Sequence, residues 1–444
     1  MACPIRVKDL FLGSLAGGLL LSGVALYGQG VGAKVGGPRV AGHDLAIRNV
    51  EILTVSGARI SHGTIILRGE RIAALGTSVA VPSGAEVVDG SGLTACPGFF
   101  DAFSGLGLTE IANVPASNDS QETADPITPQ LRASDSYFLD SELLPVVRAA
   151  GILTVLSAPG PGAVIAGQAA LMRTAGGTVE EAGLQDVAGL LVNLGEPPKR
   201  AFGERGKAPQ TRMGIAALLR QTLMQGREYA AKRAADAKVP VDSRLEPVAA
   251  ALAGRARVLV RAHRRDDILT ALRFADEFGL KLVLVGGSDA PRLAGELAKR
   301  AVPVILWIDQ QPDTPETAGA SYDAAAVLQR AGVRVAFGSN ETTLSRQLVA
   351  NVGLAVAYGL PYDEALKALT LSAAQIFGVD DRLGSLEVGK EATLFLSRGD
   401  PLQVTSRVVS VFVRGARYEP RSYQTSLCEQ YIAPKKGTIS CLPK

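Results

Sequence analysis

Histidine is almost missing from this chain: three residues, His43, His62 and His263, in 444. A metal centre made of clustered imidazoles needs several at one place, and two of these three lie in the short strands that precede the central part of the chain. A histidine-rich site is excluded by count. A charge excess of one sign is missing too, since 46 basic residues against 43 acidic ones leave +3. No basic field points to nucleic acid. Cysteine is sparse, at positions 3, 96, 428 and 441. No cysteine follows the N-terminal apolar run, which argues against a lipid anchor. Beyond that run no stretch is long and apolar enough to cross a membrane, and there is no internal repeat or low-complexity tract.

What is present is an α/β composition, 47% hydrophobic and 20% charged with 49 glycines, and a length that accommodates a large barrel with an appendage. Arg6 and Lys8 precede an apolar, small-residue run from Leu10 to Leu26, the build of a secretory leader. Residues 1–33 are therefore expected to be a signal peptide, with Val31-Gly32-Ala33 as its cleavage site. The protein is then exported, periplasmic or secreted; the alternative is an uncleaved anchor helix. Export puts Cys428 and Cys441 in an oxidising compartment, so a disulfide is expected in a tail spanning 421–444, against the alternative of two free thiols. Cys96 is expected to pack as a small apolar residue.

Short strands are expected over Leu45–Val55, Thr64–Leu67, Arg71–Leu75 around a Gly69-Glu70 turn, Glu86–Asp89 and Leu93–Cys96, from their alternation of apolar and polar residues. Apolar strands then alternate with helical patterns: Ile152–Ser157, Leu190–Leu194, Val258–Arg261, Leu282–Val285, Val302–Trp307 and Val333–Gly338. Helices are expected at Asp267–Phe278, Ala290–Arg300, Tyr322–Ala331 and Tyr362–Leu371, where apolar residues recur every three or four positions. This order implies parallel βα units. The polar segment Asn113–Tyr137 reads as a long loop lying over the barrel mouth or as an ordinary surface excursion. Strand-rich sequence returns at Gly384–Phe395 and Val408–Arg414.

The stretch Pro97-Gly98-Phe99-Phe100-Asp101-Ala102-Phe103-Ser104-Gly105 resembles the opening strand of the amidohydrolase superfamily, Pro-Gly-x-x-Asp-x-His-x-His. The Gly384-Ser385-Leu386-Glu387-Val388-Gly389-Lys390 run, the Thr370–Gly378 helix end and the Ala158–Gln168 loop resemble the same family, in particular its exported imidazolonepropionase- and dipeptidase-like members. The resemblance covers Leu45 to Tyr418. It implies an α/β fold: a (β/α)8 TIM-type barrel over 97–377, with a small composite β-sandwich formed by the N- and C-terminal segments, 34–96 and 378–420.

It also implies where metal ligands belong, and this chain departs from the family there. Phe103 and Gly105 replace the two histidines of the first strand, and Leu191 falls at the fourth-strand lysine. Arg261 and Gly286 replace the histidines of the fifth and sixth strands, and Asn340 replaces the aspartate of the eighth. Only His263 survives, from a His-Ala-His-Arg-x-Asp-Asp pattern. Phenyl, glycyl and alkyl groups offer no lone pair to zinc-type metals, and an amide cannot take a proton from the attacking water. The family normally uses zinc or another divalent metal to acidify that water; here no metal or other cofactor is expected.

The remaining candidates for chemistry are Arg261, His263, Asp101 and Glu196. Arg261 would stand where the metal sat, within reach of Asp101 or Glu196, either as a buried ion pair or gripping a ligand carboxylate. Asp101, Glu196, Asp266, Asp289 and Asp309 could hold a hard cation, or cap helices and pair with Arg264, Arg265 and Arg292. Gly160-Pro161-Gly162 could offer N–H groups to an anion. Ser104 or Ser157 as nucleophile would have only His263 as base. The expected function is a pseudoenzyme of the family that binds a small-molecule ligand or a related amidohydrolase subunit. The alternatives are an active hydrolase of C–N bonds by a metal-independent route, and a structural module, such as a homo-oligomer, with Phe103 and Leu191 filling the mouth.

Overall fold

Alternation of apolar and polar residues, with the β-branched Val, Ile and Thr among them, gives the first fifty described residues strands rather than helices. The computed structural model describes residues 44–308, 312 and 314–432. Its strands begin with β1 (Leu45–Ile52), β2 (Ile60–Arg68), β3 (Arg71–Gly76), β4 (Glu86–Asp89) and β5 (Leu93–Pro97). The next eight are β6 (Phe99–Ser104), β7 (Ile152–Ser157), β8 (Ile165–Arg173), β9 (Gly183–Asn193), β10 (Val258–Ala262), β11 (Leu282–Gly286), β12 (Val304–Leu306) and β13 (Val335–Phe337). Then come β14 (Leu394–Arg398), β15 (Arg407–Val413) and β16 (Ala416–Tyr418).

These strands make two eight-stranded sheets. One joins the two ends of the described chain, in the order β16-β15-β14-β5-β1-β2-β3, with β4 on β1. Its core is Ile47, Ile52, Ile65, Leu394 and Phe412, all fully buried. The other sheet runs β6 to β13 in chain order and nearly closes on itself. At the seam Asn340 donates its N–H to the Phe103 carbonyl at 2.8 Å and Gly105 donates to Glu341 at 3.3 Å. Leu191, Leu259, Val283, Val285, Ile305 and Ala336 fill the interior, each such side chain contributing about 1.5–3 kcal/mol on burial.

The barrel departs from the expected all-parallel pattern at β8, which is antiparallel to both β7 and β9. The reason is length. Residues 158–164 alone join β7 to β8, whereas a parallel crossover needs roughly a dozen residues or more, so the chain can only fold straight back. A helix was also unforeseen, Arg212–Ala235, which buries a narrow stripe of Ile215, Leu219, Thr222, Gly226 and Tyr229. The expected strand over Gly384–Phe395 is mostly turns, and only β14 from Leu394 pairs.

The segment 113–137 lies along β8 and the turn before it. Ile127 and Arg132 bridge to Ile165 and Gln168, and a Cβ on Gly160 would stand 2.3 Å from Gln121. A buried ion pair fixes β8 to the terminal sheet. Arg173 donates from Nε and Nη2 to the two oxygens of Glu391 at 2.9 and 2.6 Å, and from Nη1 to the Gly183 carbonyl at 2.9 Å. Both side chains are below a tenth exposed. Cys96 is a buried free thiol, and Cys428, on the last helix (Tyr423–Tyr431), is disulfide-bonded. Cys441, His43, Asp309 and the expected signal peptide lie outside the described residues. Among the described residues no helix is long and apolar enough to cross a membrane.

Candidate functional site

The six ligand positions fall at the carboxyl ends of barrel strands, the end where barrel enzymes assemble their chemistry. On β6 the Asp101 carboxylate is fully buried and accepts from the backbone N–H of Phe103 (3.3 Å) and from the N–H and hydroxyl of Ser339 (2.8 and 2.5 Å). It ties the first barrel strand to the residues after the last. Two residues on, Phe103 is buried and its ring stands 5.9 Å from Trp307. Gly105 has no side chain, and a Cβ there would press on Thr342 at 3.0 Å. Leu191 on β9 is fully buried beside Leu259 of β10.

Arg261 follows Leu259 by two residues, so its side chain shares the interior face of β10, in register with Asn193 and Val285. The residue is half-buried. Its guanidinium carbon lies 5.2 Å from the centre of the Trp307 ring. Nε is buried with no hydrogen-bond acceptor, as is the indole Nε1 of Trp307. The expected ion pair with Asp101 or Glu196 does not form. Asp101 is committed to the barrel seam, and Glu196 heads the next helix, where Lys199 holds it at 2.9 Å and Arg212 at 3.1 Å. Lys199 keeps the Glu196 carboxyl below its ordinary pKa, against partial burial and with Arg212 adding to the effect. Arg261 is instead pushed down to about 10 by burial alone, so it remains a cation at neutral pH.

His263 lies just past β10, buried, with Nδ1 2.9 Å from the Ser288 hydroxyl and its ring 5.3 Å from Trp307. Burial first, and then the charge of Arg261, hold its pKa down to about 3. The imidazole is neutral. Gly286 on β11 has φ +90, and a Cβ there would stand 2.7 Å from His263 Cε1 and 3.0 Å from Trp307. His263 and Trp307 thus occupy the space a sixth-strand histidine would need. Asn340 sits at φ +54, a left-handed conformation that asparagine tolerates better than most residues, and its contribution to the seam is through backbone.

The acidic candidates scatter. Arg212 gathers Asp267 (3.0 Å), Glu196 and Glu316 into one ion cluster. Asp266 faces Arg264 at 3.6 Å, and Asp289 pairs with Arg292 at 3.3 Å while accepting the Arg265 N–H at 2.9 Å. In the glycine turn the Gly160 N–H already donates to Ser120 at 2.7 Å, and Gln121 fills the space above it, so no anion cradle is open there. Ser157 donates to the Leu106 carbonyl at 2.6 Å, and the Ser104 hydroxyl accepts the Leu106 N–H at 3.2 Å; His263 reaches neither and bonds Ser288.

A divalent ion of the kind the family uses would need three or more donors converging. Among the described residues no group of three or more His, Cys, Asp or Glu side chains is so arranged. The described residues do not fit the ion. What the sequence reading missed is Trp307, the chain's one tryptophan, which touches Phe103, Arg261 and His263. Its position just beyond an apolar strand was the available signal.

Comparison with known proteins agrees with this architecture. The amidohydrolase family model matches residues 281–417. An amidohydrolase structure from Thermotoga maritima MSB8 superposes with a TM-score of 0.81 at 30% identity, covering 84% of this chain and 99% of that one. The chain belongs to the amidohydrolase family. A variant of atrazine chlorohydrolase from Arthrobacter aurescens TC1, complexed with zinc and atraton, shares the fold at 16% identity and a TM-score of 0.51, over 88% of this chain and 99% of that one. Amidohydrolase tasK of Hapsidospora irregularis is 24% identical over 365 residues, 76% of this chain. This chain spans 37% of that protein's length.

Proposed function

We propose that this protein is an exported, metal-free member of the amidohydrolase family whose barrel mouth binds a ligand without hydrolysing it. The observation that carries the reading is the filling of the metal's place. Phenyl, alkyl and glycyl groups stand at four of the six ligand positions, and a guanidinium and an amide at the other two. Space for one missing histidine is taken by His263 and Trp307. Without a cation the family's route to an ionised water is closed. A metal-independent route would need a base beside Arg261 or His263, and Asp101 and Glu196 are bound elsewhere.

In this reading the chain resembles the imidazolonepropionase- and dipeptidase-like members, the terminal sheet serves as the family's β-sandwich, and residues 1–33 direct export. A related amidohydrolase subunit or a second copy of the chain is an alternative occupant of the mouth; nucleic acid is not. Elemental mass spectrometry on the purified protein tests the reading, together with a screen of N-acyl amino acids and dipeptides for hydrolysis. Sub-stoichiometric metal and no turnover are expected. One zinc per chain, or turnover abolished by a chelator, would overturn it.

A further inference from the structure

Arg261, half-buried, differs from the buried arginines. Arg173 has Glu391, and Arg148, 8% exposed, donates to the Thr174 carbonyl at 2.5 Å. Arg261 has no acceptor and no carboxylate among the described residues. It keeps only the face of Trp307, 5.2 Å away, and a cation–π contact offsets part of a desolvated charge without supplying an acceptor to its N–H groups. Burying such a cation is costly unless something acidic accompanies it.

Its surroundings specify what would. Phe103, His263 and Trp307 form a buried aromatic floor, and the imidazole is neutral, so Arg261 is the one charge of that cluster. Arg261, Gly105 and Asn340 are half-buried, whereas Phe103, Leu191 and Gly286 are buried. Arg261 therefore keeps part of its surface open to solvent. Trp307 adds a second N–H without an acceptor.

We propose that the barrel mouth binds a small organic monocarboxylate with an apolar or aromatic flank, the carboxylate seated on Arg261 in the place of the family's metal and the flank against Trp307 and Phe103. This inference rests on the metal-free reading above. A planar guanidinium matches a carboxylate through paired N–H···O bonds, and a single carboxylate neutralises the single charge. A dianion such as sulfate would leave one charge unmatched over an apolar floor.

Because Trp307 is the chain's one tryptophan, its fluorescence reports on the site with no label. The experiment titrates the full mature protein with phenylacetate, with the neutral isostere phenylacetamide and with sulfate, after metal analysis of the same sample. Expected is a saturable change with phenylacetate, at least about tenfold weaker binding of phenylacetamide and sulfate, and a loss of at least about tenfold in Arg261→Gln, since one charge-assisted bidentate contact is of that order. Arg261→Lys keeps the charge but not the fork and should fall between. Circular dichroism on each variant shows that it folds.

Equal response to phenylacetate and phenylacetamide, tighter binding of sulfate, no saturation by about 10 mM (weaker than the millimolar range of a single contact), or a folded Arg261→Gln that binds like the parent would each overturn the carboxylate site. Zinc in the sample would sink the metal-free reading itself; a zinc-free protein indifferent to phenylacetate sinks this inference alone.

Discussion

Two arginines of the barrel make opposite use of a buried guanidinium. Arg173 on β8 is held by both oxygens of Glu391 and by the Gly183 carbonyl, so desolvation is met by fixed acceptors and the charge fastens one sheet to the other. Arg261 on β10 is half-buried, and its buried Nε has no acceptor among the described residues. Burial pushes the Glu391 carboxyl up, but the Arg173 hydrogen bonds and charge outweigh it and hold the pKa below the ordinary 4.5; at Arg261 burial acts unopposed. The difference gives the first a structural role and, under the proposal above, the second a receptive one.

The comparison can be broken at several points, the largest effect first. Arg173→Met leaves the buried Glu391 with only the Thr393 hydroxyl at 2.8 Å and the more distant Arg382 at 3.6 Å, and should cost up to about 3–5 kcal/mol in urea unfolding, the usual penalty for breaking a buried pair from one side. A loss under about 1 kcal/mol would mean that the pair is no more than a surface bridge. Gly286→Ala forces a Cβ into His263 at a positive φ, and about 1–3 kcal/mol of destabilisation is expected from strain of that kind. Wild-type stability in that variant would show that the strand end is roomy enough for a ligand side chain.

Arg261→Met should move stability the other way or not at all, by about 0–1 kcal/mol, because it removes a charge that folding desolvates without compensation. Destabilisation comparable to Arg173→Met would reveal a hidden partner and make the two arginines alike.

The pH profile offers the finest contrast. His263 titrates lower folded than unfolded, so between its ordinary 6.5 and about 3 the unfolded chain binds the extra proton, and stability falls as pH drops through that window. Glu391 also has a lowered folded pKa, so its contribution is present above 4.5 and fades only as pH falls below that. His263→Gln should flatten the upper part of the acid limb and Glu391→Gln the lower part. Coincident profiles for the two variants would contradict the separate environments described for them.

Much of this molecule could be read from residues. Strand periodicity located most of the barrel strands, and the Pro97–Gly105 run marked the first of them. Strand β8 escaped because Gly167 and Gln168 interrupt its apolar run and because parallel βα units were expected where a short turn forbids a crossover. The helix Arg212–Ala235 escaped because its buried stripe is narrow and flanked by Arg, Gln and Ala, so it reads as polar on every side. At the site the sequence could name Arg261 but not its lack of company. That depends on Asp101 bonding to a residue 238 positions away and on Glu196 turning toward Arg212, long-range choices that no local pattern encodes.

Asp101 carries a consequence of its own. Because its oxygens stitch strand one to strand eight, the mechanical integrity of the cylinder is separable from the identities at 103 and 105. Donors at those two places can be exchanged for a ring and a hydrogen while the staves stay joined, which makes this rim a scaffold on which recognition can be rewritten without rebuilding the vessel.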